Sequence, residues 1–231
     1  MLIEERRAEI LEYITKNGKA TVSELSRKLF ASEPTVRRDL TALERDGLIK
    51  KVYGGAMAKG AADREIPMTR RQNDASDAKD SMARLAVKLV KDGDVIMLDG
   101  SSSAMAMVKY LADLKDIIVI TSGAKTAVAL AEAGIRCFST GGRMITRSFC
   151  YVGREAEQFV RGFNADILFF SCHGISENGD ATDPSADEVS LRRAMMRRSK
   201  QKILLCDKSK LGKTYIYNIC NTDELDAVIT E

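Results

Sequence analysis

The sequence predicts two folded parts: an N-terminal all-α winged helix-turn-helix domain over residues 1–57 and an α/β domain over 81–231, joined by a linker at 58–80. Three observations predict this. A capping box at Thr21-Val-Ser-Glu24 is followed by a capped basic helix at Ser32-Glu-Pro-Thr-Val-Arg-Arg-Asp-Leu-Thr-Ala-Leu43. A short apolar–basic stretch, Leu48-Ile-Lys-Lys-Val-Tyr53, closes on Gly54-Gly55. From Ser81 onward, continuous apolar runs alternate with helix-periodic segments, the pattern of a mostly parallel sheet with right-handed crossovers.

The chain has 231 residues, 45% hydrophobic and 30% charged, enough for a small module and a medium one. No apolar run approaches the ~20 residues of a membrane helix, and the start is charged rather than signal-like, so a cytoplasmic location without membrane contact is expected. Cys137, Cys150, Cys172, Cys206 and Cys220 are scattered, and His173 is the single histidine. That argues against a disulfide framework and a zinc site, and no metal or cofactor is expected. Residues 1–57 hold 11 Lys+Arg against 9 Asp+Glu, whereas 76–231 balance at 21 against 21. The positive excess therefore lies where a nucleic-acid partner would bind.

Residues 4–17 read as a helix, with Ile10, Leu11 and Ile14 on one face and Gly18 as its stop. The helix opened by Thr21 carries Val22, Leu25 and Leu29. In the third, Ser32 caps, Pro34 sits in the first turn, and Val36, Leu40 and Leu43 form one apolar stripe. Arg38, Thr41 and Arg45 fall opposite, flanked by Thr35 and Arg37, a chemistry suited to a DNA major groove. The wing is a two-stranded ribbon whose Lys50, Lys51, Tyr53 and Gly54 approach phosphates. The expected DNA-contacting set is thus Thr21, Ser32, Thr35, Arg37, Arg38, Thr41 and Arg45, with Lys50, Lys51, Tyr53 and Gly54.

Residues 58–80 read as a polar tether with one turn of helix. In the α/β part, helices are expected at 82–90, 104–114, 124–133 and 186–199. Strands are expected at 95–98, 117–120, 136–139, 167–170, 202–206 and 227–229. Ligands of such sheets bind at the carboxyl ends of the strands. Three loops there are small and polar: Asp99-Gly-Ser-Ser-Ser103, Thr121-Ser122-Gly123 and Thr140-Gly-Gly-Arg143. Backbone access, hydroxyl donors, a helix start and a cation together suit a phosphate-bearing ligand, although Gly and Ser are also ordinary turn residues. On the helix at 186–199 most of the basic residues read as a solvated face. His173, after a buried strand, reads better as a hydrogen-bonded structural residue than as a ligand contact.

Ser32-x-x-Thr-Val-Arg-Arg-Asp-Leu-x-x-Leu-Glu-x-x-Gly-Leu-Ile and Tyr53-Gly-Gly-Ala56 resemble the N-terminal signature of the DeoR family of bacterial transcriptional regulators, in which His usually stands at the Tyr53 position. The resemblance spans the chain. Leu98-Asp-Gly-Ser-Ser-Ser103, Thr140-Gly-Gly142, Ser148 with Gly153, and Asp207-x-Ser-Lys-x-Gly212 stand where the family has its Asp-x-Gly-Thr-Thr, Gly-Gly, Ser…Gly and Asp-x-Ser-Lys-Phe-Gly motifs. Arg71, Asn73 and Lys79 resemble the family's basic approach to the second domain, and a solvated tether explains them as well. Glu188 matches a family acidic position, with Arg192 where Lys is usual. The resemblance implies an effector domain similar to ribose-5-phosphate isomerase that senses a phosphorylated sugar. The effector-binding set it implies, with the loops above, is Asp99, Ser101, Ser102, Ser103, Ser122, Gly141, Gly142, Arg143, Ser148, Glu188, Arg192 and Lys210.

The expected function is a transcriptional regulator of a carbohydrate-metabolism operon, in its simplest form a repressor. Its partners would be double-stranded operator DNA, a phosphorylated sugar and further copies of itself as a dimer or tetramer. The alternative is a sugar-phosphate isomerase-like enzyme fused to a helix-turn-helix. Asp99 and Glu188 would supply its carboxylates, but the isomerase's Lys-Gly-rich catalytic loop has no match in this chain, so no catalytic residue is assigned.

Overall fold

The computed structural model describes residues 3–58, 68–72 and 74–231, which form two compact units, one ending at Pro67 and one opening at Met68. Residues 59–67 and Asn73 of the expected tether lie outside the described residues.

In the first unit, helices α1 (Ile3–Asn17), α2 (Val22–Leu29) and α3 (Glu33–Arg45) carry the expected apolar stripes. Ile10, Ile14, Leu25, Val36, Leu40, Leu43 and Ile49 are essentially inaccessible and form one core. Burying each such side chain contributes about 1.5–3 kcal/mol. Thr21 completes the capping box of α2: Glu24 Oε2 accepts from the Thr21 backbone N–H at 2.7 Å, and Thr21 Oγ1 accepts from the Glu24 N–H at 3.2 Å. Ser32 caps α3, with Pro34 in its first turn.

The unit is not purely helical. Strands β1 (Lys19–Thr21), β2 (Ile49–Val52) and β3 (Gly55–Ala58) form an antiparallel sheet in the order β1-β3-β2. The wing is therefore three-stranded, the third strand being a three-residue segment too short to show a period of two. Gly54 has φ +78°, which only a residue without Cβ adopts cheaply, and a Cβ on Gly55 would sit 2.2 Å from the Ala20 carbonyl oxygen. One buried carboxylate, Asp39, ties α3 to α1 by accepting from Arg6 Nε at 2.6 Å and Arg7 Nε at 3.1 Å.

The second unit begins earlier than expected. Helices α4 (Met68–Arg71) and α5 (Ser76–Ala86) lie in the stretch read as a tether, and an expected boundary at residue 81 would cut α5. Met68 is buried and its N–H donates to the Arg147 carbonyl at 2.8 Å; Lys79 is buried as well. The polar composition hid these helices, since Thr69, Arg70, Asp74 and Asp77 are exposed while Met68 and Lys79 are buried.

Six strands form the central sheet: β4 (Val95–Leu98), β5 (Ile118–Thr121), β6 (Cys137–Ser139), β9 (Ala165–Phe170), β12 (Ser199–Leu205) and β14 (Ala227–Ile229). Their order is β14-β12-β9-β4-β5-β6, every neighbouring pair parallel. Successive residues alternate between two cores: Met97, Leu168, Phe170 and Leu204 face one, and Ile96, Leu98, Ile167, Phe169, Ile203 and Leu205 the other. Burial on both faces is why these strands read as continuous apolar runs.

The first core packs against α9 (Arg154–Arg161) and α10 (Ala186–Met196), and the second against α5, α7 (Val108–Leu111) and α8 (Ala124–Glu132). The helix expected at 104–114 is broken into α6 (Ser102–Met105) and α7. Two further pieces escaped the sequence reading: a hairpin of β7 (Arg143–Ile145) and β8 (Cys150–Val152), and a small antiparallel sheet of β10 (Gly174–Ile175), β11 (Asp180–Asp183) and β13 (Tyr217–Asn221).

Candidate functional site

On the first unit, α3 turns Arg37, Arg38, Thr41 and Arg45 outward, with Thr35 half-buried beside them. Arg37 Nη2 lies 3.3 Å from Glu33 Oε2, and Arg45 Nε 3.6 Å from Asp46 Oδ1. Such exposed pairs contribute at most about 1 kcal/mol and yield readily to a stronger anion. Arg38 makes no hydrogen bond or ion pair among the described residues, so its guanidinium is free to pair with a base edge.

The wing is latched to α3. The Lys51 N–H donates to Glu44 Oε1 at 2.8 Å, Lys51 Nζ donates to Thr41 Oγ1 at 2.9 Å, and the Thr41 hydroxyl donates to the Arg37 carbonyl at 2.8 Å. Lys50 and Tyr53 are exposed, and the Gly54 carbonyl at the tip accepts from the Val22 N–H at 2.9 Å. Thr21 and Ser32, by contrast, spend their hydroxyls on the helix starts: Thr21 Oγ1 on Glu24, and Ser32 Oγ on the Thr35 N–H at 3.4 Å and Thr35 Oγ1 at 2.8 Å.

In the second unit the sheet order places the loops after β4, β5 and β6 side by side, with those after β9 and β12 on the other flank of β4. The strand order reverses between β4 and β9, where such folds bind ligands. Asp99 sits at this point and is saturated: Oδ1 accepts from the Ser101 N–H at 3.0 Å, and Oδ2 from the Ser171 N–H at 3.2 Å and Arg192 Nε at 2.8 Å.

Arg192 is the hub. Besides Asp99 it donates Nη1 to Asp183 Oδ2 at 2.7 Å and Nη2 to Glu188 Oε2 at 2.9 Å, all four groups being buried. Burial opposes the charge on Arg192, but the three carboxylates outweigh it and hold its pKa well above the usual value. Burial likewise opposes the Asp183 carboxylate, yet Arg192 and His173 beside it hold its pKa below the usual range. Of the two partners that suit an arginine fork, phosphate and carboxylate, the guanidinium of Arg192 here holds carboxylates.

His173 is hydrogen-bonded, as expected, through Nδ1 to Asp183 Oδ2 at 2.9 Å, but its Nε2 is buried without a hydrogen-bond partner among the described residues. Glu188 Oε1, Ser103 Oγ and Ser148 Oγ are buried and unpartnered too. An unmet buried polar atom costs about 1–3 kcal/mol, which a ligand hydroxyl or phosphate oxygen would recover. Of the other loop serines, Ser101 Oγ caps α6 by accepting from the Ala104 N–H at 3.1 Å, and Ser102 and Ser122 are buried.

The glycine-rich loops serve packing more than ligand access. A Cβ on Gly100 would lie 2.0 Å from Cys150 Sγ, and one on Gly142 2.7 Å from the Val152 carbonyl. The β7–β8 hairpin is thus pressed onto the site, and the cavity among Asp99, Ser122, Cys150, Glu188 and Arg192 is only about 10 Å³. Gly141 and Gly142 have φ +63° and +99°. Arg143, expected as a ligand cation, is exposed and pairs with Asp187. α6 is a single turn, so it offers little dipole to an anion.

Lys210 does reach the site: Nζ donates to Ser171 Oγ at 2.8 Å and lies 3.4 Å from Asp207 Oδ2. Asp183, which pairs with Arg192 and His173, and Cys150, which packs against Gly100, were absent from the expected site.

A winged helix with a free basic face, on one chain with an α/β unit that gathers buried polar groups at its strand ends, defines a DNA-binding regulator with a sensing domain. The DeoR C-terminal sensor domain matches residues 74–231 and the DeoR-like helix-turn-helix domain matches residues 6–60, so the chain belongs to the DeoR family of transcriptional regulators. Among its relatives, the HTH-type transcriptional regulator GolR of Listeria innocua is 35% identical over 98% of this chain and 90% of its own length. The HTH-type transcriptional repressor GlcR of Bacillus subtilis is 31% identical over 100% and 89%, and an L-fucose operon activator of Haemophilus influenzae 28% over 96% and 89%. Translation initiation factor eIF-2B of Pyrococcus horikoshii shares the fold: 17% identity, 99% of this chain, 81% of that one, TM-score 0.51. Ribose 5-phosphate isomerase A of Methanocaldococcus jannaschii aligns at 20% identity over 59% and 54%, TM-score 0.45.

Proposed function

We propose that this regulator represses a carbohydrate-use operon and releases its operator when a phosphorylated sugar binds at the carboxyl ends of β4, β5, β9 and β12. The observation that carries the reading is the set of buried, unpartnered polar atoms at those strand ends, Glu188 Oε1, His173 Nε2, Ser103 Oγ and Ser148 Oγ. Glu188 Oε1 accepts only, and His173 Nε2 accepts when Nδ1 carries the proton toward Asp183, so both suit donating hydroxyls. Asp99 organises this end from behind, through Arg192 and the Ser171 N–H, and Lys210 brings positive charge.

The DNA contacts fall to Arg37, Arg38, Thr41 and Arg45 on α3, and to Lys50, Lys51 and Tyr53 on the wing, with Thr21 and Ser32 holding the helix starts. One recognition helix covers only a few base pairs, so the regulator acts as a symmetric homo-oligomer on paired half-sites. Isomerase turnover is not part of this reading. Asp99 and Glu188 both pair with Arg192, so neither carboxylate stands free as a general base.

The test is operator titration by fluorescence anisotropy with a panel of pentose and hexose phosphates and the matching free sugars. At least one phosphorylated sugar should weaken binding by about 5–150-fold, the usual range of allosteric coupling, while its free sugar does not. Indifference to the whole panel would overturn the effector assignment.

A further inference from the structure

Two cysteines meet at the ends of neighbouring strands. β9 and β12 are parallel, with Phe170 opposite Leu204. Side chains alternate along a strand, so two residues further on, Cys172 and Cys206 fall on one face, and both enter the core that holds Phe170 and Leu204. Neighbouring strands lie about 4.8 Å apart, inside the range of about 4.4–6.8 Å between Cα atoms that a disulfide spans. Ser171 Oγ donates to the Leu205 carbonyl at 2.7 Å, which joins the two chains one residue before the pair. The Cys172 thiol hydrogen-bonds to Cys206, so the sulfurs already face each other.

The pair is asymmetric. Cys206 accepts from Cys172 and lies near the Lys210 ammonium, which together hold its pKa below the usual thiol value, against burial and Asp207. Donation to Cys206, then burial, hold the Cys172 pKa well above that value. Burial also pushes Cys137 and Cys150 up, and Cys220 up to about 12. The thiolate is the nucleophile, so Cys206 is the attacking sulfur and Cys172 the resolving one. Both are buried, which excludes bulky low-molecular-weight disulfides and favours a small uncharged oxidant, hydrogen peroxide. The Cys206 thiolate takes one peroxide oxygen as the O–O bond breaks. A sulfenic acid forms, and the hydroxide released leaves as water with the proton that Cys206 had given up. Cys172 Sγ then attacks Cys206 Sγ, the S–O bond breaks, and hydroxide leaves as water with the Cys172 proton. Two thiols lose two hydrogens, and one peroxide is reduced to two waters.

The pair also lies where a covalent bond has consequences. Cys172 precedes His173, and Cys206 precedes Asp207 in the loop that carries Lys210. Lys210 Nζ donates to Ser171 Oγ at 2.8 Å, so that loop is already held against the end of β9. A disulfide brings two sulfurs closer than any non-bonded contact and fixes the two strand ends together. We propose that Cys172 and Cys206 are a dithiol that peroxide closes to a disulfide, and that closure fixes the ends of β9 and β12 and blunts the effector's release of operator. The second half rests on the proposed sugar-phosphate reading; the disulfide itself does not.

The test treats the full-length chain with hydrogen peroxide, then denatures it, alkylates free thiols and maps the peptides by mass spectrometry. Three of the five cysteines should still alkylate, Cys172 should be joined to Cys206, and the intact chain should be two hydrogens lighter; dithiothreitol should restore all five. In Cys172→Ala, Cys206 should stop at a sulfenic acid that dimedone traps, whereas Cys150→Ala should form the disulfide as the parent does. Five alkylated thiols in the parent, a bond between other cysteines, or oxidation of Cys206 to sulfinic acid without a bond to Cys172 would overturn the assignment, and these readouts need no variant to fold. In anisotropy titrations the oxidised parent should need roughly tenfold more sugar phosphate to release operator than the reduced parent. An equal response of the two forms would sink the regulatory half. If no sugar phosphate releases operator even from the reduced parent, the effector reading and the regulatory half fail together, while the peptide map still decides the disulfide.

Discussion

Replacing Arg192 by Met probes the network on which the sensing site is built. Met has similar length and no charge, so it leaves Asp99, Asp183 and Glu188 facing one another in a buried space without their shared counter-ion. Removing one partner of a buried ion pair costs about 3–5 kcal/mol. Each kcal/mol lowers the melting temperature of a domain of this size by roughly 2–4 °C, so the second unit should melt about 6–20 °C lower. A pH dependence that the parent's Asp183 does not contribute between pH 7 and 5 should also appear. In the parent, Asp183 has a depressed pKa, so its contribution is fully present above the ordinary value of 3.8 and is lost as the pH falls through the lower folded value. In the variant, burial without the guanidinium favours protonated carboxyls, so stability should rise as the pH falls from 7 toward 5. Urea denaturation across that range, followed by far-UV circular dichroism, reads both effects. A loss under about 1 kcal/mol, or a difference from the parent that stays constant between pH 7 and 5, would refute the reasoning.

Three further outcomes follow from the same geometry. Arg38→Ala should cost about 1–3 kcal/mol on the cognate operator and relax specificity, whereas Lys50→Ala should weaken all duplexes alike and flatten the salt dependence; anisotropy titrations at several salt concentrations separate the two. Gly100→Ala should destabilise by about 1–3 kcal/mol through collision with Cys150 Sγ 2.0 Å away, and Cys150→Ala in the same chain should restore most of it in a thermal melt. Sedimentation at micromolar concentration should give a dimer or tetramer, and a monomer with and without DNA would contradict the half-site argument.

The sequence revealed what is local. The starts of α2 and α3 were legible because Thr21 and Ser32 act on residues three positions away, and the stripe Val36, Leu40, Leu43 repeats within one helix. The central strands were legible because burial on both faces makes them uninterrupted apolar runs. What was hidden depends on chain topology. Arg192 meets Glu188 at helical spacing, but it meets Asp99 across 93 residues and Asp183 from the end of β11, and those two contacts leave no periodic mark. Lys79 looked like a tether residue because a polar composition is the same whether a group faces water or is buried against backbone carbonyls. The glycines of the loops were read as access for a ligand, and Gly100 is instead the space that Cys150 fills.

The central claim is that one ligand binds the second unit and thereby changes the affinity of the first for DNA. Calorimetric titration of the effective sugar phosphate into the free regulator, and into the regulator saturated with operator, tests it most directly. Thermodynamic linkage requires the ligand's dissociation constant to rise on the DNA complex by the same factor by which the ligand weakens operator binding. Equal dissociation constants in the two titrations would mean that the ligand does not distinguish the two states, and the claim would fall.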